Sequence, residues 1–145
     1  LGQFHRSGSV QQVRLHQHDV GALDGHVGAS TDGQAHVGPG QRRGIPTGIA
    51  IALPSPDYVA LVFVRSGMGF RHGIALSNGV GVIDSDYRGE ISVGLVNLSQ
   101  DSYTIQPGDR IAQLMVTPVV RPVLVQAEEL DETDRGAGGF GSTGR

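Results

Sequence analysis

The sequence predicts an all-β domain, a distorted jelly roll or β-barrel-like fold, from three features of its patterning. From Ile45 onward the apolar runs are short and rich in β-branched residues, which is typical of strands. Tight-turn residues separate these runs, and the 23 glycines punctuate them without forming low-complexity tracts. A length of 145 residues suits one compact domain with a core of its own.

The runs divide the chain into elements. Strands are predicted at 48–53, 58–64, 73–76, 79–83, 90–98, 101–105, 110–117 and 119–125. Ser77-Asn78-Gly79 and Gln106-Pro107-Gly108 have the residues of tight turns, and one short helix is expected at either 66–71 or 127–130. Residues 1–44 have no clear period and are assigned to the same domain as the β core, 45–133. Residues 134–145 are charged and rich in glycine, which predicts a flexible C-terminal arm.

Charge and composition exclude several classes of function. The chain has 11 basic and 14 acidic residues, so it lacks the positive charge expected of a nucleic-acid or anionic-membrane binder. All 11 basic residues are arginines, whose planar guanidinium suits phosphate capture. The absence of cysteine excludes a disulfide framework and a thiolate nucleophile. Because no long apolar run is present, we expect a cytoplasmic protein with neither nucleic acid nor membrane as partner.

Two polar segments follow apolar runs and suggest a site. Arg65, Ser66 and Gly67 bring a cation, a hydroxyl and a backbone amide to the end of the strand predicted at 58–64. Asp84 and Tyr87 follow the strand predicted at 79–83. An aspartate in this position can activate water, and a tyrosine ring can provide a surface on which a ligand stacks. A plain strand-to-turn transition is the alternative interpretation of both segments.

The glycine-rich segment 136–141 fits the letters of a dinucleotide-binding fingerprint, G-x-G-x-x-G. That fingerprint requires a preceding strand and a following helix, and neither pattern is present here. It is not a Walker loop either, because the chain contains no lysine. Together with Arg135, Phe140, Ser142 and Thr143, the segment instead predicts an arm that closes over a phosphorylated ligand and orders on binding.

Four segments, taken in order, resemble motifs two to five of the trimeric deoxyuridine triphosphatases, the dUTPases. They are RSGMG at 65–69, GVGVIDSDYRG at 79–89, GDRIAQL at 108–114 and RGAGGFGSTG at 135–144. Their order and spacing match from about residue 40 to the end of the sequence. The resemblance implies an enzyme that uses Mg²⁺ and water to cut dUTP into dUMP and pyrophosphate. It also implies a homotrimer with active sites shared between subunits, over which a neighbour's arm closes.

The resemblance also implies a role for individual residues. Asp84 matches the aspartate that activates the attacking water, and Tyr87 the ring that packs against deoxyribose and excludes a 2′-hydroxyl. Asn78 and the hairpin after it resemble the slot that reads uracil, largely through backbone groups. The implied phosphate contacts are Arg65, Ser66, Gly67, Gln113, Arg135, Ser142 and Thr143, and Phe140 and Gly141 belong to the arm that closes over the base. The metal is implied to be held chiefly by phosphates and waters.

The family's first motif is not intact, and the segment most similar to it is Gly21-Ala22-Leu23-Asp24. Asp24 is therefore assigned to the water shell of the metal. The abrupt change in composition near residue 43 suggests that the N-terminal third is translated from a shifted frame, which would leave the chain inactive or poorly folded. Two alternatives stay open: a dCTP deaminase-like enzyme and a catalytically impaired nucleotide-binding relative. The deaminases carry a catalytic glutamate where this chain reads Ile91-Ser92-Val93-Gly94.

Overall fold

The structure is a computed structural model that describes residues 10–14 and 21–140, with side chains described from residue 26 in the second range. These residues form eleven strands and one short helix. The strands are β1 (Gln11–Arg14), β2 (Gly21–Gly28), β3 (Ala35–Val37), β4 (Arg42–Pro46), β5 (Ile49–Ala52), β6 (Tyr58–Val64), β7 (Ile74–Leu76), β8 (Gly81–Ile83), β9 (Ser92–Asn97), β10 (Tyr103–Ile105) and β11 (Arg110–Pro118), and the helix is α1 (Ser66–His72).

The strands are arranged in small sheets whose neighbours are distant in sequence. The largest sheet has four antiparallel strands in the order β2-β11-β6-β8, and a second has three in the order β4-β9-β7. Two pairs complete the described part of the chain: β3 with β10, antiparallel, and β1 with β5, parallel. This strand-rich, non-sequential arrangement confirms the predicted all-β, jelly-roll-like fold.

The inner faces of the sheets supply one apolar core. Among its fully buried members are Ile45, Ile74, Leu95, Ile105 and Ile111, each from a different strand or strand end. Burial alternates along β9, as expected for a strand with one face against the core. Within the described residues, every buried side-chain nitrogen or oxygen has a hydrogen-bond partner. No helix among these residues is long and apolar enough to cross a membrane.

Several predicted elements are confirmed. The strand at 58–64 has the predicted bounds, and the others from β5 to β11 lie within or close to theirs. Both predicted turns place glycine in the left-handed region, with φ of 75° at Gly79 and 83° at Gly108. The short helix forms at the first predicted position, and the alternative at 127–130 is wrong.

One predicted strand is absent, and the N-terminal residues contain strands that their sequence pattern did not indicate. The strand predicted at 119–125 is wrong, since this exposed segment pairs with no strand among the described residues. Conversely, residues 1–44 contain β1, β2, β3 and most of β4, although their sequence has no clear period. Glycine-rich β2 is held by pairing with β11, and β4 buries Ile45 alone. Strands fixed mainly by their neighbours leave little hydrophobic pattern to detect.

The β6–α1 connection determines where one group of predicted site residues lies. Arg65 joins the strand directly to the helix, and Ser66 and Gly67 form the first helical turn. The helix ends at Gly73, whose φ of 65° lies in the left-handed region and whose N–H bonds back to the helix. A Cβ at Gly73 would lie 3.0 Å from the Cβ of Ser99, so glycine is needed for both conformation and space.

Candidate active site

The β7–β8 hairpin and the loop after β8 enclose a cleft of about 290 Å³, here called the hairpin cleft. Asn78 lies in the hairpin turn, Asp84 follows the last residue of β8, and Tyr87 lies in the following loop. Glu90 and residues of β9 form the opposite side. The structure thus brings three of the predicted site residues to one cleft.

Two glycines allow neighbouring segments to approach each other closely in the walls of the hairpin cleft. A Cβ at Gly81 would lie 3.0 Å from the Cβ of Val62 on the neighbouring strand β6. At Gly94 of β9 a Cβ would lie 2.5 Å from Ser77 Oγ, and the Gly94 carbonyl accepts the Ser77 N–H at 2.8 Å. A larger side chain at either position would force neighbouring groups apart. A ligand in the cleft therefore meets backbone groups as well as side chains.

The loop from Asp84 to Glu90 is held by its own hydrogen bonds. The Tyr87 N–H donates to the Asp84 carbonyl at 3.2 Å, and the Tyr87 hydroxyl donates to the Glu90 carbonyl at 2.9 Å. Arg88 donates to the carbonyls of Ser85 and Tyr87, both at 2.9 Å. These contacts fix a half-exposed aromatic ring next to an exposed carboxylate, Asp86, and three residues after Asp84.

A second group of predicted residues lies where β6 passes into α1. Arg65 Nη1 donates to the Arg110 carbonyl at the start of β11, at 3.2 Å. Ser66 and Gly67 are exposed in the first helical turn, which no side chain caps. Backbone N–H groups of a first turn have no partner within the helix, so they are available to a ligand. Gln113 is exposed on β11, opposite Phe63.

Asp84 and Ser66 lie far apart along β6. Ile83 pairs with Ala60, so Asp84 stands level with the start of β6, whereas Ser66 follows its end. At about 3.3 Å per residue, the six or seven positions between those levels amount to roughly 20 Å. A second cleft of about 520 Å³ opens beside Asp84 and is lined in part by Tyr58, Asp86 and Arg121.

The C-terminal arm is described only as far as Phe140. The Arg135 guanidinium donates to the carbonyls of Gly138 and Gly139, at 2.8 and 3.3 Å, and Phe140 is fully exposed. Gly141, Ser142 and Thr143 lie outside the described residues. Asp24 lies in β2, but its side chain is outside the described part as well.

One titratable group beside Arg65 escaped the sequence analysis. Burial raises the pKa of Tyr103 above its ordinary value of 10.0, the charge of Asp109 raises this pKa further, and Arg65 opposes both. The His72 ring stands against the Tyr103 ring, with centroids 4.9 Å apart. A tyrosine on a short strand gives no local signal of such contacts, because they come from segments distant in sequence.

The fold and the two residue groups define a class of β-rich, nucleotide-binding proteins, and comparisons with known proteins identify the family. The family model described as dUTPase matches residues 28–144. A deoxyuridine 5′-triphosphate nucleotidohydrolase of Desulfitobacterium hafniense is 51% identical over 124 residues, which cover 86% of this chain and 82% of that protein. The Escherichia coli (strain HS) protein of the same name is 48% identical over 117 residues, covering 81% and 78%. This chain belongs to the dUTPase family.

Solved structures agree with that assignment. The dUTPase of Staphylococcus bacteriophage 80alpha, solved with dUPNHPP, has a TM-score of 0.74 and 26% identity, covering 83% of this chain and 85% of its own. The dUTPase of phage phi11 of S. aureus shares the fold, with a TM-score of 0.66, 22% identity and coverage of 74% and 84%. The family match begins at residue 28, ahead of the composition change near residue 43. The shifted-frame hypothesis therefore stays a prediction for residues 1–27 alone.

Proposed function

We propose that the hydrolysis of dUTP to dUMP, which is the activity of the dUTPase family to which this chain belongs, runs here with Asp84 as general base. The observation that carries the proposal is the hairpin cleft, where Asn78, Asp84 and Tyr87 come together. The cleft has walls of backbone groups, an aromatic ring and an exposed carboxylate. It therefore suits a nucleoside whose phosphate chain extends out of the cleft beside Asp84. A cytoplasmic location, with no nucleic acid or membrane as partner, stays a prediction.

The chemical step follows from the exposed carboxylate after β8. Asp84 accepts a proton from a water molecule, whose oxygen forms a bond to the α-phosphorus of dUTP. The bond from that phosphorus to the bridging oxygen of the β-phosphate breaks, and pyrophosphate leaves with the electron pair. Arg65 and Gln113 bind the phosphate oxygens, which lowers the repulsion that the incoming oxygen meets. No covalent intermediate with the protein is required.

Selectivity follows from the walls of the hairpin cleft. The Tyr87 ring packs against deoxyribose and leaves no room for a 2′-hydroxyl, while the turn at Asn78 reads uracil largely through backbone groups. The narrow spacing at Gly81 and Gly94 supports a slot in which the methyl group of thymine would clash. The sequence Ile91-Ser92-Val93-Gly94 also argues against the deaminase, because it lacks the catalytic glutamate that the deaminases carry there.

The donor set fits magnesium carried by the substrate. Within the described residues no group of three or more His, Cys, Asp or Glu could hold a metal ion by itself. Magnesium in phosphate-transfer sites usually keeps several waters and takes one or two carboxylates plus substrate phosphates. Phosphate oxygens and waters would be its main ligands here, with Asp24 as the carboxylate assigned to its water shell. When bound, the ion supplies charge neutralisation along the triphosphate.

A homotrimer with shared sites accounts for two features of the protomer. Asp84 and Ser66 stand roughly 20 Å apart along β6, which supports a site that takes these residues from different protomers. The segment between β11 and the arm also exposes apolar side chains, since Val120, Val123, Leu124 and Val125 are 82–93% exposed. A neighbouring protomer that pairs with this segment would bury them. Arg135, Phe140 and the residues after it would then close over a partner's cleft.

The test is a product analysis on the purified protein with magnesium and either dUTP or dCTP. We expect pyrophosphate from dUTP and no ammonia from dCTP. Ammonia released from dCTP would instead support the deaminase. Binding of dUTP without turnover would support the catalytically impaired relative, in which one missing group abolishes chemistry while affinity persists.

A further inference from the structure

Glu90 links the loop that carries Asp84 and Tyr87 to a different part of the fold. Its carbonyl accepts the Tyr87 hydroxyl at 2.9 Å, and its carboxylate Oε1 accepts the N–H of Gly48 at 2.7 Å. Gly48 lies in the β4–β5 turn, 42 residues earlier in the chain. One residue thus joins the aromatic wall of the hairpin cleft to a turn outside the cleft.

The β4–β5 turn is a firm support for this link. Thr47 Oγ1 donates to the Ile91 carbonyl at 2.7 Å, and the Ile91 N–H donates to the Ile49 carbonyl at 2.8 Å. Gly48 itself has a φ of 69°, and a Cβ there would lie 3.1 Å from Ser30 Oγ. The turn therefore has little freedom to move, and its amide holds the carboxylate in one place.

The Tyr87 ring is held at its hydroxyl end. It is half-exposed and lies beside Gly89, where a Cβ would stand 2.5 Å from the Tyr87 hydroxyl oxygen. Its hydroxyl is anchored by the Glu90 carbonyl, so a change in the backbone at Glu90 moves the far end of the ring. A charge-assisted hydrogen bond from the Gly48 amide restricts that backbone.

We propose that Glu90 is a positioning residue for sugar discrimination, which acts through Tyr87. Its carboxylate, held by the Gly48 amide, fixes the carbonyl that anchors the Tyr87 hydroxyl, and this sets the space left beside C2′ of the sugar. The inference rests on the proposed function, in which the Tyr87 ring packs against deoxyribose. Removal of the carboxylate loosens the ring and admits a ribonucleotide.

The test compares kcat/KM for dUTP with kcat/KM for UTP in a set of variants of the full chain. Glu90→Ala should lower the dUTP-to-UTP ratio by roughly tenfold, because a ring that can shift no longer rejects a hydroxyl. Glu90→Gln keeps an oxygen acceptor for the Gly48 amide, and its ratio should stay within about twofold of the unsubstituted protein. Asp101→Ala, which removes an exposed carboxylate from the β9–β10 turn, is the control and should leave the ratio unchanged.

Tyr87→Phe tests whether the two residues act through one link. It removes the hydroxyl that Glu90 anchors, so Glu90→Ala added to Tyr87→Phe should lower the ratio little further. Full additivity of the two effects would contradict the link. If Glu90→Ala fails to fold, Glu90→Asp replaces it in the test. The aspartate side chain keeps the negative charge but is too short to accept the Gly48 N–H. A lower melting temperature with an unchanged ratio would show a purely structural role and overturn the proposal.

The Tyr87→Ala variant separates failure of this inference from failure of the proposed function. If Tyr87→Ala loses discrimination while both Glu90→Ala and Glu90→Asp retain it, Glu90 does not position the ring and the proposed role of Tyr87 stands. If Tyr87→Ala itself discriminates normally, the proposed contact between the ring and the sugar is wrong, and the inference falls with it.

Discussion

Asp84 carries the chemistry in the proposed mechanism, and its exposure after β8 makes it testable without disturbing the core. Asparagine has nearly the same shape but cannot accept the proton of the attacking water. We therefore expect Asp84→Asn to lower kcat by about 10²- to 10⁴-fold, the usual contribution of a general base. Affinity for a non-hydrolysable dUTP analogue should change little. Steady-state kinetics and calorimetry on the same preparation measure both quantities.

Asp101→Asn is the matched control for that variant, because it neutralises a different exposed aspartate, which lies in the β9–β10 turn. Its kcat should equal that of the unsubstituted protein. Normal turnover by Asp84→Asn would refute the assigned base.

Tyr103 makes stability depend on pH in the alkaline range. Its pKa is raised in the folded protein by burial and by Asp109, so the folded state holds the hydroxyl proton more tightly than the unfolded state does. The resulting stability is fully present below the ordinary pKa of 10.0 and is lost as pH rises through the higher folded value. The free energy of unfolding should thus fall as pH rises above 10.0, as measured by urea denaturation.

Tyr103→Phe removes the titrating group and keeps the ring that packs against His72. Its free energy of unfolding should fall less over the same pH range. An equal fall in both proteins would assign the alkaline loss to other groups.

At the scale of single elements, Asn97 organises the end of β9. This fully buried amide donates to the carbonyls of Val37 and Asp101, both at 2.8 Å, and its oxygen accepts the N–H and the hydroxyl of Ser99. Asn97→Leu would remove the donor to the buried Val37 carbonyl and three part-buried contacts with Asp101 and Ser99. We expect the free energy of unfolding to fall by about 2–4 kcal/mol, measured by chemical denaturation.

Ser99→Ala keeps the buried amide and removes a half-buried hydroxyl, which donates to Asn97 Oδ1 and to the Asp101 carbonyl and accepts the Asp101 N–H. Because this hydroxyl is partly exposed and water can replace its contacts, its loss should cost only about 1 kcal/mol. A loss from Asn97→Leu no larger than that would mean that the amide contacts contribute little to stability.

The elements differ in how well sequence alone could predict them. β6 and β11 are long, apolar and partly alternating, so their pattern was enough to locate them. β2 and β4 have few large apolar residues, and their pairing with β11 and β9 determines them instead. The segment 119–125 has the composition of a strand but no partner among the described residues. The composition of a segment determines its propensity to form a strand, but it does not determine which other strand the segment pairs with.

The features of the candidate site also differ in how well the sequence predicts them. The order of the motifs selected Asp84, Tyr87 and Asn78, and the structure brings all three to the hairpin cleft. The contact between Glu90 and Gly48 was invisible in the sequence, because it joins positions 42 residues apart. The wide separation of Asp84 from Ser66 was equally hidden, since it depends on the register of β8 against β6.

At the scale of the whole molecule, the segment that follows β11 contacts the body only a short way beyond the strand in the described residues. The Val119 N–H donates to the Asp57 carbonyl at 2.8 Å, and Arg121 Nη2 donates to the Pro56 carbonyl at 2.9 Å. Both contacts hold the start of this segment against the β5–β6 turn, and the apolar residues after it are exposed. A protomer built in this way presents its arm to another molecule, which supports the proposed exchange within a trimer.

Complementation between two inactive variants tests the shared site. Asp84→Asn disables the base, and the double variant Ser66→Ala with Gln113→Ala disables the phosphate contacts. If each site takes these two groups from different protomers, a random 1:1 mixture has both groups intact in about a quarter of its sites. We expect dUTPase activity to return to about that fraction when the two variants are unfolded and refolded together. Each variant refolded alone should stay inactive. If both groups served a site within one protomer, every protomer in the mixture would carry a defect, and no activity would return.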